Sequence, residues 1–521
     1  MRLRTIAVSL ALACATSSGL AGQTLSAERI EELARAEADD AFALYRELLS
    51  LPNDATRPDD IIELTRWLEG AFAARGFETR RLEMPGSDAV LAERGAPDAE
   101  RTVLIYLQAD GQPVDPSAWH QESPWTPTLK RRRADAPPTS VDGHPEHWET
   151  LPWERLYEDP DPEWRMFARS ASDSKGPIAQ FLSALSVLES AGVEPDFDMK
   201  VIIDTEEEMG SPHLPAAVER YRDELAADML VIFDGPPHDT GRPTLKFGAR
   251  GIATITLTTY GPRVAQHSGH WGNYVPNPAV RMARILASMK DERGRVTIPG
   301  FYDGVAIDAA TRDILEAVPD DIETLHERMG IAEPDAVAGT PQEAIQYPSL
   351  NVRGLRAGWV GSEARTIIPP QAVAEIDVRL VLESDPDRLV GLIRDHIEGL
   401  GYHVVSGRDP TDDERARHPR LARFDATVAY RAFRTAFDSE PGRWLSAAYG
   451  RLFDEEPIRI RTSGGSIPIS PFVTTLGIPA VSVPTVNPDN NQHSPNENLR
   501  LGNYVDGIRT FLAILTEPIP D

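Results

Sequence analysis

Three adjacent carboxylates, Glu206, Glu207 and Glu208, stand in the stretch TEEEMGS directly after the apolar run VIID. Like charges at neighbouring positions repel, so unless all three face bulk water a nearby cation must hold them together. A divalent metal is the economical cation. Four further stretches put metal-type ligands next to apolar runs: Asp110 after LIYLQA, Asp173 in ARSASDSKGP, Asp234 in VIFDGPP and His493 in NNQHSPNENL. Taken singly, a strand-end Asp is more often a helix cap or turn residue. Taken together, in this order, the five stretches point to a metal centre. The chemistry open to such a centre is hydrolytic, because a bound divalent ion acidifies water and an adjacent carboxylate accepts the proton.

The elements that must position these groups are legible as periodic runs. Residues 27–76 show apolar residues at three- and four-residue spacing and predict helices. Strand-like runs follow at Thr102–Leu107, Lys200–Ile203 and Met229–Phe233, separated by helical segments such as Pro177–Ala191. Alternating strand and helix predicts an α/β catalytic domain with a mostly parallel central sheet flanked by helices, and active residues where its strands end. From about Leu245 to Arg408 the pattern changes: KFGARGIATITLTTYG and AVAEIDVRLV alternate like half-buried strands, with helices between and after them. That block predicts an inserted α+β unit. The polar DPTDDERARHP reads as a linker, Arg420–Phe437 as a resumed helix and Tyr504–Leu515 as a final one. The expected division is therefore residues 23–244 and 409–521 for the catalytic domain and 245–408 for the insertion. Residues 120–168, with RRR at 131–133 and Trp125, Trp148, Trp153 and Trp164, resist assignment and read as a long functional or partly ordered loop.

Composition limits the function classes. The 521 residues carry 81 acidic against 53 basic side chains, a formal charge of −28, dispersed rather than in blocks. Such a chain gains no counterion-release energy from nucleic acid or an anionic membrane surface. Residues 1–22 combine Arg2 and Arg4, an apolar stretch from Ile6 to Ala15 and a small-residue exit at Gly19-Leu20-Ala21, the pattern of a secretory signal. Export to the periplasm or the exterior is the expectation, with a lipoprotein at Cys14 as the alternative. No later run is apolar for long enough to predict a membrane span. Cys14 is the only cysteine, so the mature chain must rely on its core or a metal rather than disulfides. Lysine is rare, 5 residues against 48 arginines. Lys175 is read as support for a helix start, not as a catalytic group.

The motifs DGQPVDPSAW, SDSKGP, EEMGS, QHSGHWGNYVPNP, RTIIPPQAVAEIDVRLV, GGSIPI and HSPNE, in this order and across nearly the whole mature chain, resemble the M20 family of metallopeptidases and amidohydrolases, nearest its carnosinase-like dipeptidase branch. The resemblance implies two divalent ions, zinc with manganese or cobalt as alternatives, bridged by Asp173. Glu208 and His493 would complete the first site, and Asp234 with a histidine two residues before Asp110 the second. It also implies Glu207 as general base, which would leave Glu206 an incidental surface acid. His267, reaching from the inserted lid of a homodimer partner, would steady the oxyanion, while Arg379 with the Gly464-Gly465-Ser466 loop would hold the substrate's carboxylate end. The expected reaction is hydrolysis of the amide bond of dipeptides or N-acyl amino acids.

One position departs from that pattern. The expected His-x-Asp is Gln108-Ala109-Asp110 here, and a neutral amide oxygen is a poor zinc ligand beside imidazole. Four readings stay open: a single ion on Asp173, Glu208 and His493; a replacement ligand from His144 or His147 in the long loop; a pocket that binds without hydrolysing; or Gln108 as a weak oxygen ligand. Asp110, which in the family orients the missing histidine, would then hold the Gln108 amide.

Overall fold

The computed structural model describes residues 20–21, 24–136 and 145–520; most of the proposed leader, with Cys14, and the loop residue His144 lie outside the described residues. The larger sheet has eight strands in the order Glu78–Leu82, Ala89–Arg94, Asp198–Asp204, Thr102–Gln108, Met229–Ile232, Ala480–Ser482, Thr244–Lys246 and Ile458–Ile460. Its four middle strands, from Asp198–Asp204 to Ala480–Ser482, run parallel. They read as unbroken apolar runs because both faces are covered. Helices Ala38–Ser50, Lys175–Ala191 and Leu501–Leu515 cover one face, where Phe233 stacks on Phe511 at 4.0 Å and Tyr45 on Tyr504 at 4.5 Å. Leu214–Arg220 and Phe472 cover the other, the latter edge-on to Tyr106 at 5.9 Å. Each fully buried aromatic or branched side chain of this kind contributes about 1.5–3 kcal/mol. The register that matters most pairs Gln108 with Asp204, so two strands end level and their following turns lie side by side.

A second sheet of five strands, in the order Ser349–Arg356, Gln371–Leu380, Gly251–Tyr260, Leu421–Tyr430 and His403–Val405, has its own core with Met282, Ile285, Leu389 and Ile393 from helices Pro278–Met289 and Pro386–Gly399. The fold is thus α/β with an α+β unit inserted, as the patterning predicted. Three local readings need correction. Leu421–Tyr430 is a strand, not a helix: Leu421, Phe424 and Val428 suggest helical spacing, but the free edge of Gly251–Tyr260 recruits the segment as an antiparallel neighbour. DPTDDERARHP is no interdomain linker, since it contains helix Asp412–Arg417, held by a Thr411/Glu414 capping box between two strands of this sheet. By sheet membership the inserted unit runs from about 250 to 430 rather than 245 to 408, because Thr244–Lys246 belongs to the larger sheet. The stretch 120–168 is also more ordered than expected. Thr128–Arg132, Trp148–Thr150 and Arg165–Phe167 join Asn498–Arg500 in a four-stranded antiparallel sheet.

Candidate metal centre

The acidic stretch is a turn held from below. Asp204 ends its strand buried, accepting hydrogen bonds from Tyr106 Oη at 2.9 Å, Ser211 Oγ at 2.5 Å and the Glu206 N–H at 2.9 Å. The Asp110 carboxylate, at the end of the neighbouring strand, accepts the N–H of Glu207 on one oxygen and of Glu208 on the other, both at 3.0 Å. Asp110 therefore orients the acidic turn, not the Gln108 amide. Gly210 closes the turn in the left-handed region (φ +80°), where a Cβ would also stand 2.8 Å from Tyr430 Oη. Glu206 is not a surface acid. It is buried and accepts the Ser87 N–H at 2.8 Å, while His213 Nδ1 lies 2.8 Å from its other oxygen.

Asp173 sits where the chain enters helix Lys175–Ala191. Its loop is fastened by Glu497, a fully buried carboxylate that accepts the N–H groups of Ser170, Ser172 and Asp173 at 2.8–3.0 Å and pairs with Arg169 at 2.8 Å. His493 arrives from the loop after Ala480–Ser482 with a left-handed backbone (φ +60°), unusual for a non-glycine residue. Its Nε2 lies 2.9 Å from Asp173 Oδ2 and 3.5 Å from Glu208 Oε2. Among the described residues, Asp173, Glu208 and His493 form the one group of three or more His, Asp or Glu side chains whose ligand atoms all lie within 4.8 Å of one another. Three convergent N and O donors with an exposed imidazole edge suit a divalent ion with an open position.

Electrostatics mark the same place. Burial, then the neighbouring Asp173, raises Glu208 to about 8, and His493 rises to about 9 through its bond to Asp173. Glu207 is pushed well above the usual carboxylate range by burial and then by Asp234, Asp173, Glu208 and Asp110. Burial and Asp173 raise Asp234 to about 6, while Lys246 pulls it down. A bound dication would invert these shifts, since its charge favours the ionised carboxylates.

The residues present fit one ion better than two. Asp234 is not one of the three, although it lies near enough for Asp173 and Glu207 to feel its charge, and the remaining residue expected at a second ion is Gln108. Gln108 is buried and turns its Nε2 to donate to Asp173 Oδ1 at 2.8 Å, leaving Oε1 buried without a partner. His147 lies on the turn Pro145–His147 and is not part of the cluster. Of the expected substrate groups, Arg379 Nη1 donates to Ser466 Oγ at 2.9 Å across the two domains, and Gly465 beside it is exposed. His267 is exposed on the inserted unit, where its Nδ1 accepts the Gly269 N–H at 3.0 Å; within one chain it is not brought to the cluster.

Sequence reasoning missed several supporting groups. Glu497 was visible only as part of HSPNE. Gln112, which donates to Glu208 Oε2 at 2.8 Å, was visible only as part of DGQ. Lys246 was flagged by nothing but the scarcity of lysine, and Tyr430, whose hydroxyl reaches Gly210 O at 3.3 Å, was hidden in a segment read as helix.

Residues 139–517 match peptidase family M20/M25/M40. The chain is 25% identical over 521 residues to a Cys-Gly metallodipeptidase of Schizosaccharomyces pombe, spanning 95% of this chain and 98% of that protein. It is 25% identical over 446 residues to human Beta-Ala-His dipeptidase, spanning 83% and 78%. Among solved structures, an M20 family metallo-carboxypeptidase from Sulfolobus solfataricus superimposes with a TM-score of 0.73 at 26% identity, over 92% of this chain and 99% of that one. With a family match across most of its length and a convergent Asp-Glu-His cluster at the strand ends, the chain belongs to peptidase family M20/M25/M40 and is a metal-dependent hydrolase of peptide bonds.

Proposed function

We propose that this protein is an exported dipeptidase in which Glu207 acts as general base. The observation that carries the reading is the convergence of Asp173, Glu208 and His493, with the Glu207 backbone fixed by Asp110 beside them. Those three side chains would hold a divalent ion, zinc or else manganese or cobalt, which when bound would supply Lewis acidity toward the scissile carbonyl and the attacking water. Glu207 takes the proton of that water on its carboxylate and delivers it to the leaving amine. Arg379, bonded to Ser466 through Nη1 and facing Asp377 through Nε at 3.5 Å, would offer Nη2 to the substrate's terminal carboxylate, and the exposed backbone at Gly465 lets that end approach. His267 of a second copy would donate to the oxygen that gains charge, which makes a homodimer through the inserted unit part of the proposal. The named activities of the two curated relatives, on Cys-Gly and on β-Ala-His, support a short substrate with a free carboxylate. Residues 1–22 support export by their composition.

The test is an assay of the purified full chain on a panel of dipeptides, dipeptide amides and N-acyl amino acids, with added zinc or manganese and with a chelator. Turnover of dipeptides that a chelator abolishes and metal restores is expected. Preference for N-acyl amino acids would replace dipeptidase by deacylase, and absence of turnover with metal bound would make this a binding protein.

A further inference from the structure

Gln108 and Lys246 both stand beside residues of the centre, one at Asp173 and the other at Gly235 next to Asp234. Gln108 ends the strand Thr102–Gln108, buried, and donates its Nε2–H to Asp173 Oδ1 at 2.8 Å. The nitrogen is the end that suits a bare carboxylate, since the amide oxygen could face Asp173 Oδ1 only across a shared cation. The consequence falls on Asp173: Oδ2 faces His493 at 2.9 Å and belongs to the three-ligand cluster, while Oδ1 is already an acceptor. In a two-atom carboxylate bridge each oxygen serves one ion, and here a second ion would have to share Oδ1 with the Gln108 N–H. An ion on Gln108 Oε1 would not restore the bridge, because the oxygen and nitrogen of one amide point away from each other and the nitrogen is the end that faces Asp173.

Lys246 addresses the charge. It ends the strand Thr244–Lys246, donates from Nζ to Pro236 O at 2.9 Å, and its Nζ would stand 3.7 Å from a Cβ at Gly235. A fixed ammonium thus lies against the backbone that carries Asp234, the carboxylate on which a second ion would depend. A further dication there would lose an imidazole ligand, compete with the Gln108 N–H for an Asp173 oxygen and share Asp234 with the field of a like charge.

We infer that this centre holds one divalent ion, on Asp173, Glu208 and His493, and that Gln108 and Lys246 stand in the place and the charge of a second. The inference rests on the three-ligand centre of the functional reading, but its test reads stoichiometry, not turnover. Full-length protein, wild type and the double variant Q108H/K246M, is equilibrated with excess Mn²⁺, passed through a desalting column, and measured for manganese per chain and by electron paramagnetic resonance. Wild type should carry one ion with the spectrum of isolated Mn²⁺. The double variant should carry two, with an exchange-coupled spectrum. Two coupled ions on wild type would overturn the inference, and so would a folded double variant that stays at one. One ion on wild type without peptide turnover would uphold this inference and defeat the functional reading. No ion at all would defeat both.

Discussion

Asp110 Oδ2 accepts the main-chain N–H of Glu208 at 3.0 Å, and its other oxygen does the same for Glu207. One buried carboxylate at a strand end thereby sets the position of the proposed metal ligand and of the proposed base at once. Asp110→Ala removes both bonds and lets the acidic turn relax. We expect metal affinity and kcat/KM to fall by about 10–100-fold each, the usual effect of losing a group that orients ligands. Titration with zinc and steady-state kinetics check this; unchanged affinity would separate Asp110 from the centre.

Glu207→Gln keeps the shape of the turn and removes the proton acceptor. Turnover should drop by about 10²–10⁴-fold, the range for a general base, with metal content per chain unchanged. Retained activity would refute the assignment, and lost metal would mean that Glu207 is a ligand instead.

Glu497→Ala should act through stability. The carboxylate is buried with Arg169 and three N–H groups, so its removal leaves a buried guanidinium unpaired, at a cost of about 3–5 kcal/mol. Urea unfolding of the metal-free protein measures this. Excess zinc should recover part of the loss, because an ion holds the same Asp173 loop from its other side.

The pH dependence of stability should change sign with metal. In the metal-free chain the folded state holds Glu208 at about 8, Asp234 at about 6 and His493 at about 9, all above their unfolded values. These three groups bind more protons in the folded state, so their contribution to stability falls as pH rises from about 4 to about 7; above that, buried Lys175 at about 7 and Lys130 at about 8 act in the opposite direction. Metal binding requires those protons to leave, about one to two per ion near pH 7, so loaded protein should instead gain stability over the same window. Melting temperatures with chelator and with zinc test the crossing; parallel profiles would argue that no ion replaces these protons.

Arg379→Lys keeps the charge and loses the planar fork. For a dipeptide with a free carboxylate KM should rise by about 10-fold or more, as expected when a charge-assisted hydrogen bond is removed, with kcat less affected. For the corresponding dipeptide amide the change should be small. Equal effects on both substrates would exclude Arg379 from carboxylate recognition.

The sequence by itself determined the pieces whose physics is local. Unbroken apolar runs marked the buried parallel strands. Acids and a histidine beside apolar runs marked the candidate ligands Asp173, Glu208 and His493, which the structure brings together, and Gln108 was conspicuous as the wrong residue for its place. Tertiary structure decided what depends on neighbours distant in the chain. Leu421–Tyr430 is a strand because an edge is free beside it, and Glu206 is buried because Ser87 and His213 reach it. The direction of the Gln108 amide is set by Asp173, 65 residues away, and the ammonium of Lys246 is brought to the Gly235-Pro236 backbone beside Asp234 by a strand that patterning places at the edge of another domain. A side chain's type fixes what it can bind, but which partner it meets is set by packing, and packing is a property of the whole chain.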